Sequence, residues 1–160
     1  MKRRQFLAGA MGAVTGAMAL RASAAGTPSG AIEKVVKTED EWRKVLTPQQ
    51  FSVLRQEGTE TPFTSPLNNE KRKGTFVCVA CALPLFESRT KFDSGTGWPS
   101  FYDHIAGALE TKTDVKLIYP RTEYHCARCG GHHGHVFNDG PKPTGLRYCN
   151  NGVVLKFVAA

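Results

Sequence analysis

Two C-x-x-C pairs, Cys78 and Cys81 in "CVAC" and Cys126 and Cys129 in "CARCG", stand 44 residues apart. Each pair lets two thiolates of one tight turn reach the same ion, and two such turns close a tetrahedral four-sulfur site. The gap is longer than a compact zinc ribbon uses, so an ion held here ties together two distant loops of one domain. Structural zinc is the expected occupant. Two disulfides or a rubredoxin-like iron would use the same four residues, and spacing alone leaves both open. A structural zinc site can contribute on the order of 10 kcal/mol to folding, so losing the ion should unfold the domain.

The opening "MKRRQFLAGAMGAVTGAMALRASAAG" places Arg3 and Arg4 ahead of Phe6 and Leu7, then an apolar run and a small-residue ending at Ala22, Ser23 and Ala24. This pattern predicts a cleavable twin-arginine export signal over residues 1–24, too short and Gly-rich for a good membrane span. An uncleaved N-terminal anchor is the alternative. Cleavage implies a periplasmic address without stable membrane association. It also removes Lys2, Arg3, Arg4 and Arg21 and no acid, which lowers the formal net charge of +7 by four. The basic balance therefore belongs largely to the signal, and a nucleic-acid role loses its main support.

Residues 25–37 read as a linker, and residues 38–160 are enough for one domain with a real core. "TEDEWRKVL" offers a capping box, Thr38 with Glu41, and "TPQQFSVLRQEG" repeats it with Thr47, Pro48 and Gln50, with Gly58 as a stop. After Gly74 the runs "GTFVCVA", "VKLIYP" and "VVLKFV" predict strands between Gly, Pro, Asp and Asn breaks. The expected fold is mainly β and largely antiparallel, behind short N-terminal helices.

Cys149, in "LRYCNNG", is the unpaired cysteine. A strand over residues 146–151 would put Arg147, Cys149 and Asn151 on one face and Tyr148 and Asn150 on the other. A neighbouring guanidinium raises the thiolate fraction of a cysteine, and an inert buried thiol beside a salt-bridged arginine fits the same spacing. His125, His132, His133 and His135 cluster in "HCARCGGHHGHVF", where an imidazole can give a proton to an oxygen or simply face water. Turn residues at Asp139–Pro141 and Pro143–Gly145 double the chain back before Cys149. Trp98, in "SGTGWPSF", is either a core residue or a shelter for a small apolar group.

Together "LTPQQFSVLRQEGTETPFTSPL", "CVACALPLF", "KFDSGTGWPSF" and "RTEYHCARCGGHHGHVFNDGPKPTGLRYCNNG" resemble the B-type methionine sulfoxide reductases from about Leu46 to Phe157. The resemblance implies a fold of two antiparallel sheets with zinc on Cys78, Cys81, Cys126 and Cys129. It implies reduction of the R epimer of methionine sulfoxide, free or in proteins, with Cys149 as nucleophile and a sulfenic acid intermediate. His132 and His135 would bind and protonate the sulfoxide oxygen, Asn151 would orient the substrate, Trp98 would pack on its methyl group, and Arg147 would lie near the nucleophile. Asp139 would play a supporting part.

The sequence departs from the family pattern at two positions. Thr96 stands where many members carry a resolving cysteine, which implies regeneration by an external thiol or a thioredoxin-like partner unless a zinc cysteine is recruited. Asn150 stands where an apolar residue is usual, with an expected effect on packing. A zinc-ribbon-like peptide-binding module and a thiol redox sensor without turnover are the competing readings.

Overall fold

Two helices form where their caps predict. In a computed structural model, which describes residues 32–117 and 119–160, α1 spans Glu39–Val45 and α2 spans Pro48–Gln56. The Thr38 hydroxyl accepts from Glu41 N–H, and the Glu41 carboxylate accepts from Thr38 N–H at 2.7 Å. Thr47 and Gln50 repeat the exchange at 3.2 and 3.1 Å. Each cap stabilises its helix by about 1 kcal/mol. The predicted signal and most of the predicted linker lie outside the described residues. No helix among the described residues is long and apolar enough to cross a membrane.

The stop of α2 differs in detail from the expectation. Glu57, not Gly58, takes the left-handed conformation, with φ of 55°, and its carboxylate is held by Lys112 at 2.5 Å and by Lys116. Gly58 lies close against α2: a Cβ there would meet the Ser52 hydroxyl at 2.8 Å and the Ser52 carbonyl oxygen at 3.1 Å.

The rest of the chain forms two antiparallel sheets. The smaller has the order β2-β1-β9, from Pro84–Glu87, Gly74–Cys78 and Leu155–Ala159. The larger has the order β3-β4-β8-β7-β6-β5, from Lys91–Phe92, Ser100–Phe101, Arg147–Asn150, His132–Phe137, Arg121–Cys126 and Leu109–Asp114. Side chains of one face of each sheet meet in an aromatic core. Phe86 stacks on Phe101 with ring centroids 4.2 Å apart, Phe76 meets Phe101 edge-on at 5.0 Å, and Tyr124 and Tyr148 close the cluster. Phe76, Phe86, Phe101 and Tyr124 are fully buried, and such pairs contribute beyond the area they bury.

Two of the three predicted strand runs are displaced. "VKLIYP" is not a strand among its described residues: β5 ends earlier, at Asp114, whose carboxylate accepts from Lys116 N–H at 2.9 Å and turns the chain. Val115, Leu117 and Tyr119 are consequently exposed. In "VVLKFV" the chain first makes a 3-10 turn over Gly152–Val154, and β9 begins at Leu155.

His133 is fully buried, and neither ring nitrogen has a hydrogen-bond partner. Burial pushes its pKa down from the ordinary 6.5 to about 4. The unfolded chain binds that proton more readily, so the folded state loses no stability to it above pH 6.5 and loses stability as pH falls from 6.5 towards 4. The full loss is on the order of 3 kcal/mol. Urea unfolding of the protein and of His133→Leu at pH 7 and pH 5 tests this: the variant should gain about 2 kcal/mol relative to the parent at the lower pH. An unchanged difference would show that His133 does not set acid sensitivity.

Candidate active site

The strand β8 carries alternation as expected, with Tyr148 and Asn150 turned to the core. Tyr124 Oη donates to Asn150 Oδ1 at 2.9 Å, and Asn150 is fully buried, so the unusual asparagine is a packing anchor. Between them in register lies Gly134, opposite both Tyr124 and Asn150. A Cβ on Gly134 would stand 1.9 Å from the Cys149 carbonyl oxygen, so only glycine fits.

The other face of the sheet carries a continuous row of chemistry. Ser100 pairs with Cys149, Cys149 with His135, His135 with Glu123 and Glu123 with Lys112, each directly across neighbouring strands. His132 joins this face through a bulge: Tyr124 pairs with Gly134 but His125 pairs with His132, which leaves His133 as the extra residue. One extra residue reverses the alternation of side chains. Hence His132 and His135, three apart, share a face with ring centroids 5.5 Å apart, while His133 turns into the core.

Each imidazole is tied to a carboxylate. His135 Nε2 bonds Asp114 Oδ2 at 2.7 Å, and His132 Nδ1 bonds Glu123 Oε1 at 2.8 Å. Asp114 also accepts from Arg121 at 2.5 Å. The Lys116 backbone N–H, then His135 and Arg121, hold the Asp114 carboxyl well below the usual range. Burial pushes His132 downward, and Glu123 opposes that shift.

A cleft of about 130 Å³ opens over this row, lined among others by Trp98, His135, Cys149 and Asn151, with Arg121 and Phe137 at its wall. His132 does not line it; it is buried beside His135. Asn151 lies just beyond the end of β8 and is held by the His133 carbonyl, which accepts from both its backbone N–H and its Nδ2 at 2.9 Å. Arg147 forms a two-pronged pair with Asp139, at 2.8 and 2.7 Å, and stacks over Phe137 at 4.3 Å. Burial pushes the Cys149 thiol up, opposed by the nearby Arg147 charge and the Thr96 hydroxyl. Thr96 belongs to a hydroxyl chain with Ser94 and Ser100, at 2.8 and 2.7 Å.

Away from the cleft, Cys78, Cys81, Cys126 and Cys129 bring their sulfurs within 4.8 Å of one another. Cys78 and Cys129 sulfurs are 3.7 Å apart and those of Cys81 and Cys126 3.5 Å. Such spacing approximates the edge of a tetrahedron with metal–sulfur bonds of about 2.3 Å and is far beyond a disulfide bond. All five cysteines are free. The four-sulfur set therefore fits one tetrahedral ion.

Sequence reading did not single out Glu60, Asp114, Arg121 or Glu123. Their only signal was a charge, in a short strand for Asp114, Arg121 and Glu123 and in the loop after α2 for Glu60, which resembles a solvated face.

A model of the SelR domain matches residues 46–159. The chain is 56% identical over 124 residues to the peptide methionine sulfoxide reductase MsrB of Methanosarcina barkeri, covering 77% of this chain and 87% of that protein. It is 53% identical over 125 residues to the protein of the same name from Leptospira interrogans, covering 78% and 95%. With that from Pseudomonas putida strain W619 the identity is 56% over 128 residues, covering 79% and 96%.

The Arg147 charge opposes the upward push on the thiol, so Arg147→Met should leave Cys149 less ionised. Iodoacetamide alkylation of Cys149 at pH 7 should slow on the order of three- to tenfold, with its pH midpoint moved upward. An unaltered rate would show that Arg147 serves Asp139 and Phe137 alone.

Proposed function

Since the chain belongs to the SelR-domain family of MsrB-type peptide methionine sulfoxide reductases, we propose that it reduces methionine R-sulfoxide, free or in proteins, with Cys149 as nucleophile. The observation that carries this reading is the direct pairing of Cys149 with His135 at the floor of a cleft walled by Trp98 and Asn151.

The Cys149 sulfur attacks the sulfoxide sulfur while the oxygen takes up a proton from His135. Its Nε2 is engaged by Asp114, so Nδ1 is the ring nitrogen available to the substrate. The Asp114 carboxylate fixes the ring so that Nδ1 faces the cleft side for that donation. His132, fixed by Glu123, supports His135 from behind. The oxygen passes to Cys149 as a sulfenic acid, and methionine leaves two electrons richer as Cys149 becomes two electrons poorer. Trp98 packs on the methyl group, and Asn151 orients the substrate.

With Thr96 beside Cys149, the sulfenic acid is met by an external thiol or a thioredoxin-like protein. That thiol forms a mixed disulfide with Cys149 and releases water; a second thiol then frees Cys149. Zinc is the proposed occupant of the four-cysteine site, since a closed set of four protein sulfurs is typical of structural zinc and leaves no position for substrate. Residues 1–24 are proposed to direct the folded protein to the periplasm, supported by Arg3, Arg4 and the apolar run behind them.

Turnover of the two separated epimers by residues 25–160, with dithiothreitol as reductant, tests the reading. Only the R epimer should be reduced, and Cys149→Ser should lower the rate at least 1,000-fold, roughly the scale of losing a nucleophile. A folded protein that turns over neither epimer would favour a sensor or a peptide-binding module.

A further inference from the structure

Glu60 lies behind the cleft wall, 5% exposed, with its carboxylate directed at the backbone. Oε1 accepts from Gly152 N–H at 2.5 Å and Oε2 from Val153 N–H at 2.9 Å, the first two residues after Asn151. Its own peptide group faces the cleft residues. Glu60 N–H donates to Asn151 Oδ1 at 2.9 Å, and the Glu60 carbonyl accepts from Trp98 Nε1 at 3.1 Å. One residue thus contacts two of the side chains that line the cleft, Trp98 and Asn151, although it does not line the cleft itself.

The neighbouring chain strengthens the arrangement. Phe63 N–H donates to the Gly97 carbonyl at 2.7 Å, and Asn68 Nδ2 donates to the same oxygen at 3.0 Å. Residues 60–68 therefore bind the loop that carries Trp98 at two places, and Glu60 binds the Asn151 corner at three. Trp98 and Asn151 sit on separate segments, and no hydrogen bond joins them directly among those described.

We propose that Glu60 is a positioning residue that fixes the substrate-binding wall: its carboxylate clamps the Gly152–Val153 peptides while its own peptide group holds the Trp98 indole and the Asn151 amide. The carboxylate suits the task because each of its two oxygens accepts one N–H, whereas a glutamine would set an NH2 donor against one of those N–H groups. Its effect falls on substrate recognition, whereas the reactivity of Cys149 depends on β8, Arg147 and Thr96. The inference rests on the reductase reading.

Steady-state kinetics on methionine R-sulfoxide with Glu60→Ala and Glu60→Gln test it, with zinc content and the Cys149 alkylation rate measured on the same samples. Glu60→Ala should raise KM roughly ten- to hundredfold, the scale for losing a supporting contact, and change kcat by less than about threefold. Glu60→Gln, which keeps one acceptor, should fall between. Zinc content and alkylation should stay as in the parent. Combined with Trp98→Phe or Asn151→Ala, each double variant should lose little more than the stronger single change.

An unchanged KM, or additive losses in the double variants, would overturn the proposal. So would activity and alkylation falling together, since that marks a general collapse. No turnover by the parent protein would instead overturn the reductase reading and remove the basis of this inference with it.

Discussion

The four-sulfur cluster is the constraint on which the rest depends. Cys78 ends β1 in the small sheet and Cys126 ends β6 in the large one, and the two sheets share no hydrogen-bonded strand. Each pair closes a tight turn, through Ala82 N–H to the Cys78 carbonyl and Gly130 N–H to the Cys126 carbonyl, both at 2.8 Å. Arg55 of α2 donates twice to the Cys129 carbonyl at 3.0 Å while lying 4.4 Å over the Trp42 ring, so the helices lock onto the same place. An ion there can contribute on the order of 10 kcal/mol, comparable with the whole net stability of an ordinary domain. The aromatic core fills the space between the sheets, and the cluster holds their ends together.

Chemistry then follows from register. Ser100, Cys149, His135, Glu123 and Lys112 form one row because strands β4, β8, β7, β6 and β5 pair without a slip at that level. A slip of β8 by one residue would turn Cys149 into the core and away from His135. Strands therefore place Cys149 and His135, while Trp98 and Asn151 lie outside the strands. Glu60 bonds to both, through the Trp98 indole N–H and the Asn151 side-chain amide.

Parts of this were legible in the sequence because they are local. The capping boxes at Thr38 and Thr47 act within four residues, and the C-x-x-C turns declare their chemistry by spacing. Alternation along β8 also put Tyr148 and Asn150 on the face opposite Cys149, and the structure shows that face to be the core side. The bulge at His133 was not legible, because it depends on how β7 meets β6, yet it is what puts His132 and His135 on one face. "VKLIYP" has the texture of a strand, but the Asp114 carboxylate captures the next turn. Glu60, Asp114 and Glu123 looked like ordinary surface acids, since their meaning comes from partners between 9 and 93 residues away.

The most direct test of this account is a chelator titration of the native protein that follows metal release, the near-ultraviolet circular dichroism of the buried tyrosines and reductase turnover on one sample. The account predicts that the three losses superimpose, because releasing the ion frees the sheet ends and the cleft with them. A metal-free protein that keeps both its aromatic signal and its turnover would contradict it.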